Sequence, residues 1–451
     1  MGKSVLILGC GSSGVDAAKL LTECGEPVIL YDGNTALDTE KVKEKVGAEV
    51  SFLLGELKEE DLGEISYAVI SPGISPEKPF VELLKAKGIE VRSEIELAYL
   101  YEKGTVIGIT GTNGKTTTTS LVGDIMKAAL GDEKAFTVGN IGIPYASKVL
   151  KTGKDSATTI ELSSFQLETI YTFRPHVAAI LNITPDHLDR HHTMEGYAAV
   201  KEGITRNQTK EDFIVLNYED ERLRAFGESG LIPTVIWFSG IRALENGYFL
   251  ENDVLYKSVN GVREALVKTD EVNLVGRCNY ENILAAMAIT EAMGVNRETI
   301  LSVVKSFKAV PHRIEFTKEV RGVRYYNDSK GTNPDAAIQG IRAMNRKTVL
   351  IGGGYDKGLE FDDWIKEFGD KVKKLILLGV TAEKIAETAK KYGFTDIVFA
   401  DSLEEAVKTA YETAEPGEAV LLSPACASWG MFRNFEERGD LFKALVRELK
   451  E

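Results

Sequence analysis

Cysteine is scarce and scattered in this chain: four among 451 residues (Cys10, Cys24, Cys278 and Cys426), with no C-x-x-C pair. That excludes a disulfide framework and a thiolate zinc site, and suits a reducing cytosol. Long apolar runs are missing as well, since none approaches the ~20 residues that a membrane helix needs. Met1 leads directly into a candidate strand, Ser4–Leu8, without the layout of a signal peptide, so a cytoplasmic location is expected. Excess positive charge is also absent. A formal net charge of -14 speaks against non-specific nucleic-acid binding, so anionic ligands must be met by local Lys, Arg and helix N-termini. Repeats, low-complexity tracts and flexible linkers are lacking too. What remains is an ordinary globular composition, long enough for roughly three domains of about 150 residues each.

The most informative stretch is V-I-G-I-T-G-T-N-G-K-T-T-T-T, from Val106 to Thr119. An apolar run leads into a glycine-spaced turn, and Lys115 with a run of hydroxyls opens a helix. Gly111 and Gly114 permit a tight turn whose N–H groups, with those of Thr112 and Asn113, point inward as an anion nest. The helix N-terminus adds partial positive charge, Lys115 can reach terminal phosphates, and Thr116 can ligand Mg²⁺, with Thr117 beside it. The spacing is not strict: G-x-x-x-x-G-K-[ST] wants glycine where Ile109 stands, and Gly108 is one residue further out. Strand, loop, Lys-Thr and helix nevertheless agree, and the chain is expected to bind a nucleoside triphosphate.

Before this stretch, residues 1–102 alternate apolar runs and helical patterns, which argues for a parallel sheet covered by helices. Between the first strand and Gly14–Cys24, a predicted helix, lies Gly9-x-Gly11-x-x-Gly14, with Asp32 ending the next strand about 20 residues on. Alone, this reads as a dinucleotide fingerprint. With a phosphate loop downstream it reads better as a seat for a diphosphate that need not belong to NAD. A nicotinamide-dependent oxidoreductase would leave the phosphate loop and the whole last third unexplained. Ser71-Pro72-Gly73 is either a plain turn or part of the same crevice.

Residues 103–309 form the expected second domain. Predicted strands at 156–160 and 177–181 bring Glu161 and His187 to strand ends, where α/β sheets gather ligands. A carboxylate and an imidazole there suit a divalent metal bridging phosphates. Asn140 either bonds a substrate or supports a turn. Asn279 and Asn282 either cap their helix or touch the nucleotide. Residues 212–275 read as further strands and hairpins without a motif. The third domain, 310–451, alternates strands and helices again, with cationic and hydroxyl groups after the strands, as a small anionic co-substrate requires.

Taken in order, G-T-N-G-K-T, E-L-S-S-F-Q-L (161–167), N-I-T-P-D-H-L-D-R-H (182–191), H-R-I-E (312–315), N-D-S-K-G-T-N (327–333) and S-P-A-C-A-S-W (423–429) resemble the Mur ligases of peptidoglycan precursor synthesis. The D-S-K-G-T-N run, and Asn434-Phe435-Glu436 with Arg438-Gly439, favour the branch that adds D-glutamate. The resemblance covers essentially the whole chain. It implies an α/β fold of three domains: a Rossmann-like one for a UDP substrate, a P-loop ATPase-type one for ATP and Mg²⁺, and a Rossmann-like one for the amino acid.

It also implies an acyl-phosphate reaction joining D-glutamate to UDP-N-acetylmuramoyl-L-alanine, by a monomer with no nucleic-acid or membrane partner. Lys115 and the loop amides would cradle phosphates, while Thr116 and Glu161 would ligand Mg²⁺ and His187 would serve a second metal ion. Lys201 stands where the family carries a carbamylated lysine that ligands metal and joins Lys115, His187 and Lys330 in the catalytic set. Asn279, Asn282, Arg313 and Asp328 would surround the nucleotide. Ser13, Asp32, Ser71 and Gly73 would lie near UDP, with Asn140 and Ser163 on the muramoyl substrate. Lys330, Thr332, Lys357, Ser428 and Phe435 would hold D-glutamate. Two departures stand out: Cys278 where relatives often have His, and Gly430 in place of a common acidic residue.

Overall fold

The computed structural model describes residues 3–308 and 310–450. Among them, twenty strands make three sheets. The first holds β1 (Ser4–Leu8), β2 (Val28–Asp32), β3 (Ser51–Leu54), β4 (Ile65–Ile70) and β5 (Glu90–Ser93), all parallel, in the order β3-β2-β1-β4-β5. Val5 to Leu8 are fully buried, as a central parallel strand covered on both faces must be. The strand order reverses at β1, which opens a crevice at its carboxyl end.

The second sheet comprises β6 (Thr105–Thr110), β7 (Ala135–Gly139), β8 (Ala157–Glu161), β9 (Val177–Ile180), β10 (Phe213–Asn217), β11 (Thr234–Ser239), β12 (Gly247–Glu251), β13 (Val254–Val259) and β14 (Val262–Lys268). Its order is β14-β13-β12-β11-β10-β9-β6-β8-β7, parallel from β7 through β12. Asn252 and Asp253 take φ of 48° and 59°, and Asn260 and Gly261 take 52° and 77°. Paired positive φ angles mark the tight turns that join β12 to β13 and β13 to β14.

The third sheet holds β15 (Glu315–Val320), β16 (Val323–Asn327), β17 (Thr348–Gly352), β18 (Val372–Leu377), β19 (Ile397–Phe399) and β20 (Ala419–Leu422), in the order β15-β16-β20-β17-β18-β19. All neighbours are parallel except β15 with β16. Strand β15 was not anticipated. Its sequence, E-F-T-K-E-V, carries charges throughout because it lies on an edge.

The chain forms two compact units, the first holding essentially the first two sheets and the second the third sheet. Ala309, the last residue of the expected second domain, lies outside the described residues. Within the first unit, helix Glu94–Tyr99 fastens one sheet to the next. The buried Glu96 carboxylate accepts from the N–H groups of Tyr171 (2.9 Å), Thr172 (2.7 Å) and Phe173 (3.0 Å) and from the Thr172 hydroxyl (2.5 Å). Glu94 accepts from Ala146 N–H at 2.6 Å, and burial pushes its carboxyl up to about 7.

Candidate functional site

Strand β6 runs into the turn Gly111–Gly114, and helix Lys115–Leu130 starts directly behind it. Gly114 takes a φ of 84°, and a Cβ there would lie 2.3 Å from Asn282 Oδ1, so only glycine fits. Thr112 N–H donates to the Asn182 carbonyl (2.9 Å), and its hydroxyl stands 3.1 Å from that of Tyr197. The Asn182 amide grips Asn113 twice, accepting from its N–H at 2.8 Å and donating to its carbonyl at 3.1 Å. Lys115 Nζ donates to the Gly111 and Thr112 carbonyls at 2.9 and 2.8 Å. Thr116 and Thr117 occupy the first helical turn, where N–H groups lack helical partners and favour an anion.

On the neighbouring strand, Glu161 pairs in register with Ile109 of β6 and Gly139 of β7. Its side chain is 1% exposed. Oε1 accepts from Asn140 Nδ2 at 2.8 Å, while Oε2 is buried with no hydrogen-bond partner. A buried carboxylate oxygen left this way is costly unless a cation meets it, so the residues fit Mg²⁺. Among the described residues no three His, Cys, Asp or Glu side chains gather as a metal cluster, and a metal here leans on other donors. His187, at a φ of 52°, is 46% exposed and packs its ring on Phe165 (4.8 Å between centroids).

Lys201 is 1% exposed, and its ammonium donates to the Gly111 carbonyl at 2.9 Å. Burial, and then the charge of Lys115, lower its pKa to about 7. Ser163 caps helix Ser164–Leu167, and its hydroxyl lies 2.9 Å from Gln166 Oε1 within that capping box. This local bond engages the hydroxyl expected to face the muramoyl substrate.

At the carboxyl end of β1 the glycine fingerprint has a steric cause. Gly9 has a φ of 99°, and a Cβ on Gly14 would fall 1.9 Å from the Gly9 carbonyl oxygen. The helix Ser12–Glu23, with Ser13 in its first turn, thus packs directly on the strand end. Asp32 turns toward its own loops, accepting from the N–H groups of Cys10 (3.2 Å) and Asn34 (3.0 Å). Ser71 Oγ is buried without a partner beside Gly9, and Gly73 is exposed in the same turn.

In the second unit, Asp328 is buried and accepts from the Ser423 hydroxyl (2.7 Å) and Ile314 N–H (3.2 Å). Burial raises its pKa to about 7 against these bonds and the Arg313 charge. Arg313 Nε is itself buried and unpartnered. Lys330 Nζ sits over the Phe435 ring at 5.6 Å, and its N–H donates to the His312 carbonyl. Thr332 N–H closes a turn on the Lys330 carbonyl at 2.8 Å. Lys357 Nζ lies 4.7 Å over Trp429, whereas Ser428 is buried and its carbonyl caps the turn to Phe432. Gly430 takes a φ of 88°, a backbone conformation that favours glycine. Asn279 donates to the Val275 carbonyl at 2.8 Å. Asn279 is assigned to the second unit, and Asn282, one turn along the same helix, to the first.

Family models match along the chain: a Mur ligase MurD-like N-terminal domain at residues 3–93, a Mur ligase middle domain at 109–290 and a Mur ligase glutamate ligase domain at 312–426. Curated relatives called UDP-N-acetylmuramoylalanine–D-glutamate ligase align over the full length. The one from Lachnoclostridium phytofermentans is 52% identical over 100% of this chain and 99% of its own. The one from Lachnospira eligens is 53% identical over 99% of both. The chain belongs to the Mur ligase family. Solved Mur ligases share its fold: MurF from Acinetobacter baumannii at TM-score 0.61 and 18% identity, covering 98% of this chain and 93% of that one. MurC from Thermotoga maritima gives 0.58 at 19%, covering 99% of each.

Within this Mur ligase, three residues that hold the loops carried no role in the sequence reading. Asn182 clamps the phosphate loop. Arg190 donates to Glu168 (3.1 Å) and to the Ile74 carbonyl (3.0 Å), tying the second sheet to the first crevice. Arg438, 2% exposed, donates to Ser329 Oγ (3.0 Å), the Ser329 carbonyl (2.8 Å) and the Cys426 carbonyl (3.2 Å). Two of these stand inside quoted motifs and Arg438 inside Arg438-Gly439. Their occurrence there was the only available signal, because their partners are remote in sequence.

Proposed function

We propose that this ATP-dependent Mur ligase joins D-glutamate to UDP-N-acetylmuramoyl-L-alanine through an acyl phosphate, the reaction that names its full-length relatives. One observation carries the mechanism. A phosphate loop with Lys115 folded onto it stands next to a strand whose Glu161 keeps one buried oxygen unpartnered. That supports a polyphosphate seat and a cation seat on adjacent strand ends.

An oxygen of the L-alanyl carboxylate attacks the γ-phosphorus, the bond to the leaving oxygen breaks, and ADP departs. The amine nitrogen of D-glutamate, after losing a proton, then attacks the acyl carbon; the tetrahedral intermediate gives up a second nitrogen proton and collapses to the amide as the acyl carbon–oxygen bond breaks and hydrogen phosphate leaves. Lys115 exchanges its two loop carbonyls for phosphate oxygens, and the N–H groups of the first turn of helix Lys115–Leu130 hold the rest, those of Thr112 and Asn113 being bonded to Asn182. Thr116 and Glu161 would hold Mg²⁺, and His187 and Lys201 would serve a second ion; bound there, the metal would supply positive charge against the carboxylate and the triphosphate. Lys201 would do so as a carbamate, formed as its uncharged amine adds to CO₂ and releases a proton; an amine lowered to about 7 is available for this at neutral pH, and a carbamate offers oxygen where an ammonium repels metal.

Asn279, Asn282, Arg313 and Asp328 surround the nucleotide, and Lys330, Thr332, Lys357, Ser428 and Phe435 receive D-glutamate. Ser13, Asp32, Ser71 and Gly73 face the UDP moiety, and Asn140 and Ser163 the muramoyl part. We divide the chain into domains at 102/103 and 309/310. We assign it to the cytoplasm as a monomer, in keeping with its ATP-dependent chemistry and four free cysteines.

Phosphate release in the presence of ATP, Mg²⁺ and UDP-N-acetylmuramoyl-L-alanine tests this, with D-Glu, L-Glu, L-Ala, L-Lys and meso-diaminopimelate supplied in parallel. Release with D-Glu alone is expected. Release with another amino acid instead would overturn the substrate assignment, and release with none would overturn the ligase mechanism.

A further inference from the structure

The turn after β7 meets the end of β8 in a way that the substrate-binding role for Asn140 does not explain. Asn140 N–H donates to the Glu161 carbonyl at 2.9 Å, and its side-chain Nδ2 donates to Glu161 Oε1 at 2.8 Å. A carboxylate only accepts, so the Asn140 atom facing it is the amide nitrogen. The preceding residue makes this double grip feasible. Gly139 has a φ of 95°, and a Cβ there would fall 2.3 Å from the Glu161 carbonyl oxygen. Any other residue at 139 would push the turn off the strand. The outcome is an asymmetric carboxylate: Oε1 tied to Asn140 and Oε2 buried without a partner.

We infer that Asn140 is a positioning residue for the metal, holding Glu161 by Oε1 so that Oε2 is the oxygen presented to Mg²⁺. Partners that orient a ligating carboxylate remove its rotational freedom before the ion arrives. Losing such a partner costs roughly tenfold to a hundredfold in metal affinity. Rotation about Glu161 Cγ–Cδ would otherwise exchange the two oxygens, and rotation about Cβ–Cγ would swing the group away from the phosphate loop. Asn140 is itself exposed, so replacing it leaves the core of the sheet in place.

The inference rests on Glu161 being a metal ligand, and the experiment separates the two claims. Mn²⁺ binding to the full chain is followed by the loss of the free-ion EPR signal, with a non-hydrolysable ATP analogue present and no muramoyl substrate. The variants are E161Q, N140A and N140L, the last keeping bulk without a donor. In E161Q, Mn²⁺ affinity is expected to fall steeply; unchanged affinity there would refute the ligand reading itself. In N140A and N140L it is expected to fall roughly tenfold to a hundredfold, with turnover at subsaturating Mg²⁺ recovering as Mg²⁺ is raised. Normal Mn²⁺ affinity in both Asn140 variants would overturn the inference, whatever the KM for the muramoyl substrate, and leave Asn140 with the substrate contact alone. Thermal midpoints close to that of the parent are expected for both. A large drop in both would likewise overturn it, because it would show that the bond serves the fold.

Discussion

Lys201 offers the sharpest prediction, because burial changes its chemistry and not merely its energy. An ordinary lysine, with a pKa of about 10.4, is uncharged in roughly one molecule in 2,500 at neutral pH. Inside this fold the value is lowered to about 7, first by burial and then by Lys115. About half the side chains are then uncharged at neutral pH, and about a tenth one pH unit below, which is a gain of roughly a thousandfold in free amine over an exposed lysine. The sign follows from the direction of the shift. A folded-state pKa below the usual lysine value means that the amine is lost to protonation as pH falls through about 7, not near 10. Carbamate on Lys201, followed by ¹³C NMR with labelled bicarbonate, is therefore expected to decline steeply on acidification below neutrality. Activity should decline with it and be partly restored by added bicarbonate. K201R should show no carbamate signal and little activity at any bicarbonate concentration. A carbamate signal or activity indifferent to CO₂ across this range would refute the argument.

Four further outcomes are expected. K115A removes a charge-assisted donor to the phosphates and should lose about a hundredfold to a thousandfold in turnover with little change in melting temperature, checked by phosphate release. G14A places a Cβ where only 1.9 Å separates it from the Gly9 carbonyl oxygen. It should raise KM for the UDP substrate while leaving nucleotide affinity in the phosphate loop unchanged, measured by calorimetry. E96A strips three backbone N–H groups and a hydroxyl of their buried acceptor. At about 1–3 kcal/mol for a group left unsatisfied, the first unit should melt earlier by several degrees, read by scanning calorimetry. R438A frees the Ser329 and Cys426 carbonyls that Arg438 joins, and should raise KM for D-glutamate more than it lowers ATP affinity, measured by steady-state kinetics.

Much of the fold was legible along the chain because its central strands are parallel and buried on both faces. Such strands read as apolar runs, and Ser4–Leu8 matches its predicted limits residue for residue. Edge elements were harder. Strand β15 is charged along its length, and β5 is the four-residue stretch E-V-R-S, so neither stands out from a loop. The candidate site divides in the same way. The phosphate loop is one continuous segment whose glycines and Lys115 lie within five residues, so its chemistry shows locally. The grip of Asn182 on Asn113 spans 69 positions, and that of Arg438 on Ser329 spans 109.

From its residues alone, this chain determined the phosphate loop, the two glycine-dependent turns, the strand–helix alternation and, through the order of six motifs, its family. Those features depend on neighbours a few positions apart, where backbone sterics and hydrogen bonding act without help from the rest of the molecule. Tertiary structure alone decided that Glu96 fastens two sheets, that Lys201 is buried against the Gly111 carbonyl, and that Asn140 takes one Glu161 oxygen and leaves the other unpartnered. Each depends on strand register and on exclusion of water. A one-residue slip of β7 against β8 would part Asn140 from Glu161 while changing nothing in the sequence of either strand.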